Sequence, residues 1–339
     1  MTINIAVIGS GNVGSRHVQG LANSIAKMNV FVVDPKKNNL EKTKKLILEN
    51  NLNNNKNINI TFNQTISKIN DSIDLAIIST NSDVRRQVIE KLVSLNDVKN
   101  IILEKIAFQK INDFDFIIKL LNEKKIKSFI NFPRRVFKSY HNLKKEISKE
   151  KKIYFSVVGR NWGLASNTLH MLDLFSYLTN TKKISVKEVS LNNKIYDSHR
   201  KGFVELKGTL KFSSDRGDIL HLCDFDQYKK DVSFLGVNYR GILFGGIRIE
   251  NKNFSYSIYE NYQKIVKVAY NKNLLVDVDS FEAPLQSVLT KYMADDFFKK
   301  NKIYLPRLKD SYHHHKIIID IFTNHINKCD INLSGCPIT

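Results

Sequence analysis

Two groups of residues have the types and spacing to do chemistry. Gly9-Ser10-Gly11-Asn12-Val13-Gly14 follows an apolar run, Ile3 to Ile8, and a second apolar run ends on Asp34, twenty residues past Gly14. Gly9 allows a tight turn off a strand, Gly11 lets backbone approach a pyrophosphate, and Gly14 lets a following helix pack hard on the sheet. That helix, amphipathic through Val13, His17, Val18, Leu21 and Ile25, presents free amides and a partial positive charge to the phosphates. Asp34 would accept hydrogen bonds from adenosine ribose hydroxyls and repel a 2′-phosphate, favouring NAD over NADP, while Lys36 and Lys37 soften that preference. The second group lies at 159–178. Leu169, Leu172, Phe175 and Leu178 follow helical spacing, with His170 in the first turns and Asp173 one turn on. Histidine titrates near neutrality and suits proton carriage; the alternative is a buried histidine satisfied by a neighbour.

The elements that must position these groups change character midway. After Asp34 come a polar helix (roughly 38–50), an asparagine-rich loop (50–58), a strand at 58–62 and a continuous apolar run at 73–78, as in parallel strands buried on both faces. The last ends at Ser79-Thr80-Asn81, before a helix at 82–95. In a doubly wound sheet this is the carboxyl edge, so Thr80 and Asn81 are candidates for ribose or nicotinamide contacts; alternatively Asn81 or Ser82 caps the helix. A strand at 100–103 ends in Glu104-Lys105, then a helix (112–124) and a strand (127–131) follow. Six strands alternating with helices predict a Rossmann doubly wound parallel sheet over 1–131. Beyond 152 the pattern is mostly strands, at 153–159, 184–191, 203–212, 219–223, 242–250, 254–259 and 264–269, with helices near 166–179 and 281–300. This predicts an α+β second domain, 132–339, with a large mixed or antiparallel sheet and a C-terminal helix (309–328) packing back on the core.

Gly9 through His17 reads Gly-x-Gly-x-x-Gly-x-x-His. With Glu104-Lys105 after the fifth strand and Asn131-Phe132-Pro133-Arg134-Arg135 after the sixth, the chain resembles the Gfo/Idh/MocA oxidoreductases. The resemblance implies that Lys105 hydrogen-bonds a reacting hydroxyl, with Ile106 where the family has proline, and that Glu104 and Lys105 lie at the cofactor. It likewise implies that His170 takes the hydroxyl proton as hydride leaves the alcohol carbon. Ser166 stands where the family has an aspartate four residues before that histidine, and Thr168 where it has glycine; Asp173 is a possible substitute acid. The ammonium of Lys105 suits developing alkoxide charge. Lys105 and His170 are therefore expected to face one reacting carbon. The implied activity is NAD-dependent oxidation or reduction of a sugar, sugar acid or nucleotide-activated sugar, in a dimer or tetramer, in a setting such as surface-glycan precursor metabolism. Among Arg134, Arg135, Arg160 and Arg200, whose guanidinium groups can grip carboxylate or phosphate, Arg135 and Arg160 are the chosen substrate contacts, with Asn167 and Asp173 beside His170.

Composition bounds the rest. The 339 residues suffice for two cores, and no apolar run approaches the ~18 residues of a membrane span. With no basic or cleavable hydrophobic leader, a cytoplasmic location is expected. Cys223, Cys329 and Cys336 form no metal-ligand pattern and suit reduced thiols. His313-His314-His315 cannot chelate one ion from a regular helix, where successive residues point ~100° apart, so no metal is expected. The net charge of +20 comes without a nucleic-acid-binding signature and is read as solvated surface with some attraction for anionic substrates, not nucleic acid. A non-catalytic dinucleotide sensor or scaffold is the alternative function.

Overall fold

The computed structural model describes residues 2–225, 233–234, 237–238, 243–260, 263–269, 275–329 and 335–339. The chain forms two compact units, 1–136 with 284–312, and 137–283 with 313–339.

In the first unit six parallel strands are hydrogen-bonded in the order β3-β2-β1-β4-β5-β6: β1 (Ile3–Ile8), β2 (Met28–Val33), β3 (Ile58–Asn63), β4 (Leu75–Ile78), β5 (Asn100–Leu103) and β6 (Lys127–Ile130). Helices α1 (Asn12–Ala22), α2 (Lys37–Glu49), α3 (Arg85–Leu95) and α4 (Ile111–Glu123) connect them. β4 and β5 are buried throughout, which is why they read as unbroken apolar runs. Strand order reverses between β1 and β4, and a doubly wound sheet opens its binding crevice at the carboxyl ends on either side of that point. The strand expected at 73–78 starts at Leu75, with Ile73 only bridging to Val98.

Two expectations need correction here. Neither Asn81 nor Ser82 caps the helix after β4: α3 starts at Arg85, with Val84 at the N-cap and no side-chain bond. Whereas the sequence placed everything after 131 in the second domain, 284–312 groups with the first unit. The helix Gln286–Lys300 packs on α1 at Gly20, where any Cβ would overlap the Ser287 carbonyl oxygen. A missing side chain thus permits the backbones to approach.

The second unit is built on α5 (Lys138–Ile147), β7 (Tyr154–Arg160), α6 (Leu164–Thr179), β8 (Ile184–Leu191), β9 (Tyr196–Asp197), β10 (Val204–Glu205), β11 (Gly208–Ser214) and β12 (Ile219–Phe225). Then come β13 (Ser233–Phe234), β14 (Val237–Asn238), β15 (Leu243–Glu250), β16 (Phe254–Tyr259), β17 (Lys264–Ala269) and β18 (Leu275–Ser280). Eight of these make a mixed sheet, β18-β17-β16-β15-β7-β12-β11-β8, antiparallel except where β12 runs parallel to β7. The expected strand 203–212 is two strands, broken before Gly208 at φ +128, and Ile242, the expected start of another, lies outside the described residues. Phe155 on β7 meets Phe175 of α6 edge to face at 6.0 Å. The helix Tyr312–Lys328 buries Ile318 and Phe322, and after it the tail docks: Val204 donates its N–H to the Pro337 carbonyl (2.8 Å), with Cys336 and Ile338 fully buried.

Candidate functional site

In the first unit, β1 ends at Gly9, whose φ of +94 turns the chain and whose N–H donates to the Val33 carbonyl at 2.7 Å. A Cβ at Gly14 would overlap the Gly9 carbonyl oxygen, so glycine there lets α1 press on the turn. Around a Cβ at Gly11 nothing lies within 4 Å. Gly11 is the N-cap of α1 without a side-chain bond, so the amides of Asn12, Val13 and Gly14 begin a helix whose positive end faces that open space.

Asp34 ties the turn after β1 to the start of α2. Its Oδ2 accepts from Ser10 N–H (2.8 Å) and Asn39 Nδ2 (3.0 Å), and its Oδ1 from Lys36 N–H (2.9 Å). A carboxylate has about four acceptor positions, so one remains on Oδ1 for a ribose hydroxyl. Opposite, after β4, Ser79 donates its hydroxyl to the Gly9 carbonyl (2.7 Å). Thr80 follows with Oγ1 buried and unpartnered, as is Ser10 Oγ; Asn81 is exposed. Open space at Gly11, uncapped amides and two orphan hydroxyls around one turn fit a dinucleotide.

Lys105 follows β5 and is half-buried, and its peptide bond to Ile106 is cis. The segment is held by a residue that motif reading passed over. Arg85, 2% exposed, donates to the carbonyls of Glu104 (2.6 Å), Ala107 (3.0 Å), Ile106 and Thr80. One guanidinium thereby joins the Thr80 loop to the Lys105 loop, a use of its fixed fork of donors. Glu104 lies below: His17 Nε2 donates to its Oε1 at 2.8 Å and Asn131 Nδ2 at 2.6 Å. His17 Nδ1 is 2.8 Å from Thr290 Oγ1, and Asn131 also donates to Gln286 Oε1 (3.1 Å). Burial by itself would raise the Glu104 carboxyl, but the His17 and Asn131 hydrogen bonds and the field of Arg85 outweigh it and hold it below the ordinary range.

In the second unit, His170 sits half-buried on α6 and Asp173, one turn on, is 2% exposed. The helix starts from Gly163, at φ +78, and is capped from afar. Asp224 Oδ2 on β12 accepts from the N–H groups of Gly163 (3.1 Å) and Leu164 (3.2 Å); Glu205 on β10 accepts from those of Ala165 (3.1 Å) and Ser166 (3.2 Å). Two carboxylates thus answer the four donors that a helix start leaves open, and complement its dipole. Ser166, standing where the resembled motif has an acid, is gripped through its backbone by Glu205. Burial pushes the Asp224 carboxyl above its ordinary range, and its Oδ1 has no partner. Asn167 donates to the Trp162 (2.7 Å) and Gly163 (3.1 Å) carbonyls. Arg160 ends β7 and is half-buried; Arg135, in the first unit, lies half-buried in a short 3₁₀ turn, Pro133–Val136.

The three consecutive histidines part company. His313 Nε2 is 2.9 Å from the Ile184 carbonyl, His314 Nε2 is 2.9 Å from Ser176 Oγ, and His315 is fully buried. Among the described residues no three metal-ligating side chains gather, and no helix is long and apolar enough to cross a membrane.

Residues 3–132 match the model of an oxidoreductase family with an NAD-binding Rossmann fold, Gfo/Idh/MocA. No curated protein matches the chain in sequence. Among solved structures, UDP-N-acetylglucosamine 3-dehydrogenase from Acidithiobacillus ferrooxidans superposes with a TM-score of 0.68 at 13% identity, over 95% of this chain and 97% of that one. The transcriptional regulator Gal80p from Kluyveromyces lactis gives 0.67 at 14%, over 96% and 93%. A putative myo-inositol dehydrogenase from Sinorhizobium meliloti gives 0.62 at 13%, over 96% and 98%. At such identities the likeness is one of fold, and the fold is shared by two dehydrogenases and a regulator. The crevice at the carboxyl edge and the family match agree: residues 3–132 match the Gfo/Idh/MocA oxidoreductase model and carry the NAD-binding Rossmann fold that it describes.

Proposed function

We propose that the protein is an NAD-dependent dehydrogenase or reductase acting on a secondary alcohol or ketone of a sugar, sugar acid or nucleotide-activated sugar. The observation that carries the reading is the loop after β5. Arg85 fixes the backbone that carries Lys105 to the Thr80 loop at the carboxyl edge where the dinucleotide turn lies, which supports reading its ammonium as the group that meets the substrate oxygen. NAD, when bound, supplies the hydride acceptor or donor at its nicotinamide ring. Lys105 stabilises negative charge developing on the substrate oxygen, and His170 takes or returns the hydroxyl proton. Thr80, Asn81 and Glu104 are assigned to the cofactor side, and Arg135, Arg160, Asn167 and Asp173 to the substrate. We place the enzyme in the cytoplasm as a dimer or tetramer.

NADH fluorescence titration, followed by turnover assays on a panel of sugars and nucleotide sugars, tests this. Wild type should turn over at least one of them. His170→Ala and Lys105→Ala should each cut kcat by about 10²–10⁴, His170→Ala while leaving cofactor affinity within about threefold. Cofactor binding with no turnover on any substrate would instead favour a dinucleotide-dependent sensor. Ser166 at the usual acid position motivates that second reading.

A further inference from the structure

The first unit has a second concavity, at the amino end of β6. Its volume is about 240 Å³, and its walls include Asn122, Lys125, Lys127, Ser128, Arg307 and Lys309. Three ammonium groups and a guanidinium line one small space without a carboxylate among the lining residues. Elsewhere in this unit cations find acids, as in Lys99–Asp74 (2.8 Å), Arg86–Asp113 (2.8 Å) and Lys291–Asp295 (2.7 Å). Among the described residues none of these four cations has such a carboxylate partner.

Two of the four are held by backbone. Arg307 bridges to Phe129 in antiparallel register, next to an Ile130 N–H that donates to the Pro306 carbonyl (3.1 Å), and its guanidinium rests on the Phe129 ring at 4.6 Å. Lys125 sits at φ +59 just after α4, its N–H donating to the Asn122 carbonyl at 3.0 Å. Gathering like charges costs free energy unless an anion enters among them, and a guanidinium fork with nearby ammonium groups suits a phosphate. All six strands are parallel, so the amino end of β6 lies at the opposite edge of the sheet from the Gly9–Gly14 turn. This pocket is therefore separate from the dinucleotide crevice.

We propose that it binds the phosphate group of a small soluble metabolite. The site does not depend on the dehydrogenase reading. Inorganic pyrophosphate is the probe, titrated calorimetrically into the full chain in phosphate-free buffer at ~0.1 M salt. Wild type should bind it saturably. Lys127→Gln/Lys309→Gln should weaken binding at least tenfold. Lys56→Gln/Lys68→Gln, which removes the same charge from exposed positions elsewhere, should leave it unchanged. All four lysines are exposed, and equal melting temperatures will show that both variants fold. Binding that is absent from wild type, or weakened equally by the two double variants, overturns the proposal.

Discussion

Gly11 and Gly14 belong to one motif but answer to different forces. A methyl group at Gly14 meets the Gly9 carbonyl oxygen, whereas at Gly11 it meets open space on a backbone with φ −68, which alanine adopts freely. Gly14→Ala should therefore destabilise the protein by about 1–3 kcal/mol or more, read as a fall in melting temperature. Gly11→Ala should melt close to wild type yet bind NADH about tenfold or more weakly, because its methyl group occupies phosphate space. Reversed results would mean that the open space at Gly11 is not the pyrophosphate seat. These glycines were legible because backbone approach leaves a spacing in the sequence. Arg85 was not: one arginine at a helix start carries no sign that it will be buried and donate to four carbonyls more than a helix turn away in the chain.

At the scale of elements, the alternation of strand and helix in the first half followed from hydrophobic periodicity, as did α6. What holds α6 in place did not. Local capping leaves Ser, Thr or Asp beside a helix start, but here the N-cap is Gly163 and the acceptors are Glu205 and Asp224, supplied by strands some forty to sixty residues away. The same holds for the hydrogen-bonded set His17, Glu104, Asn131, Gln286 and Thr290, whose members lie on four separate stretches of chain. Its pH dependence can be signed. Glu104 has a folded pKa below its ordinary value, so the stability it contributes is complete above the unfolded carboxyl pKa of ~4.3 and is lost as pH falls through the folded one. Thermal unfolding between pH 3 and 7 should show wild type losing stability on acidification more steeply than Glu104→Gln. Glu104→Gln should be the less stable protein at pH 7, with the gap closing toward pH 3. A constant gap would mean that Glu104 is not ionised in the folded state.

For the molecule as a whole, composition foretold two cores but not that 284–312 would return to the first, since Gly20 gives no hint of the helix it admits. Nor does a net charge of +20 say where cations cluster without acids; that took the pairing of Arg307 with β6. One detail of the second unit supplies a clock. Burial pushes the Cys336 thiol up to about 12, so at pH 8 only about one molecule in 10⁴ carries the reactive thiolate. Half-exposed Cys329 should consume a maleimide reagent promptly, while Cys336 waits for the tail to lift. Mass spectrometry of the alkylated peptides would time that lifting, and because Pro337 anchors Val204 beside Glu205, the slow modification rate would report how often the chain end releases the grip on the helix bearing His170. Equal rates at the two thiols would mean that the end of the chain is not docked.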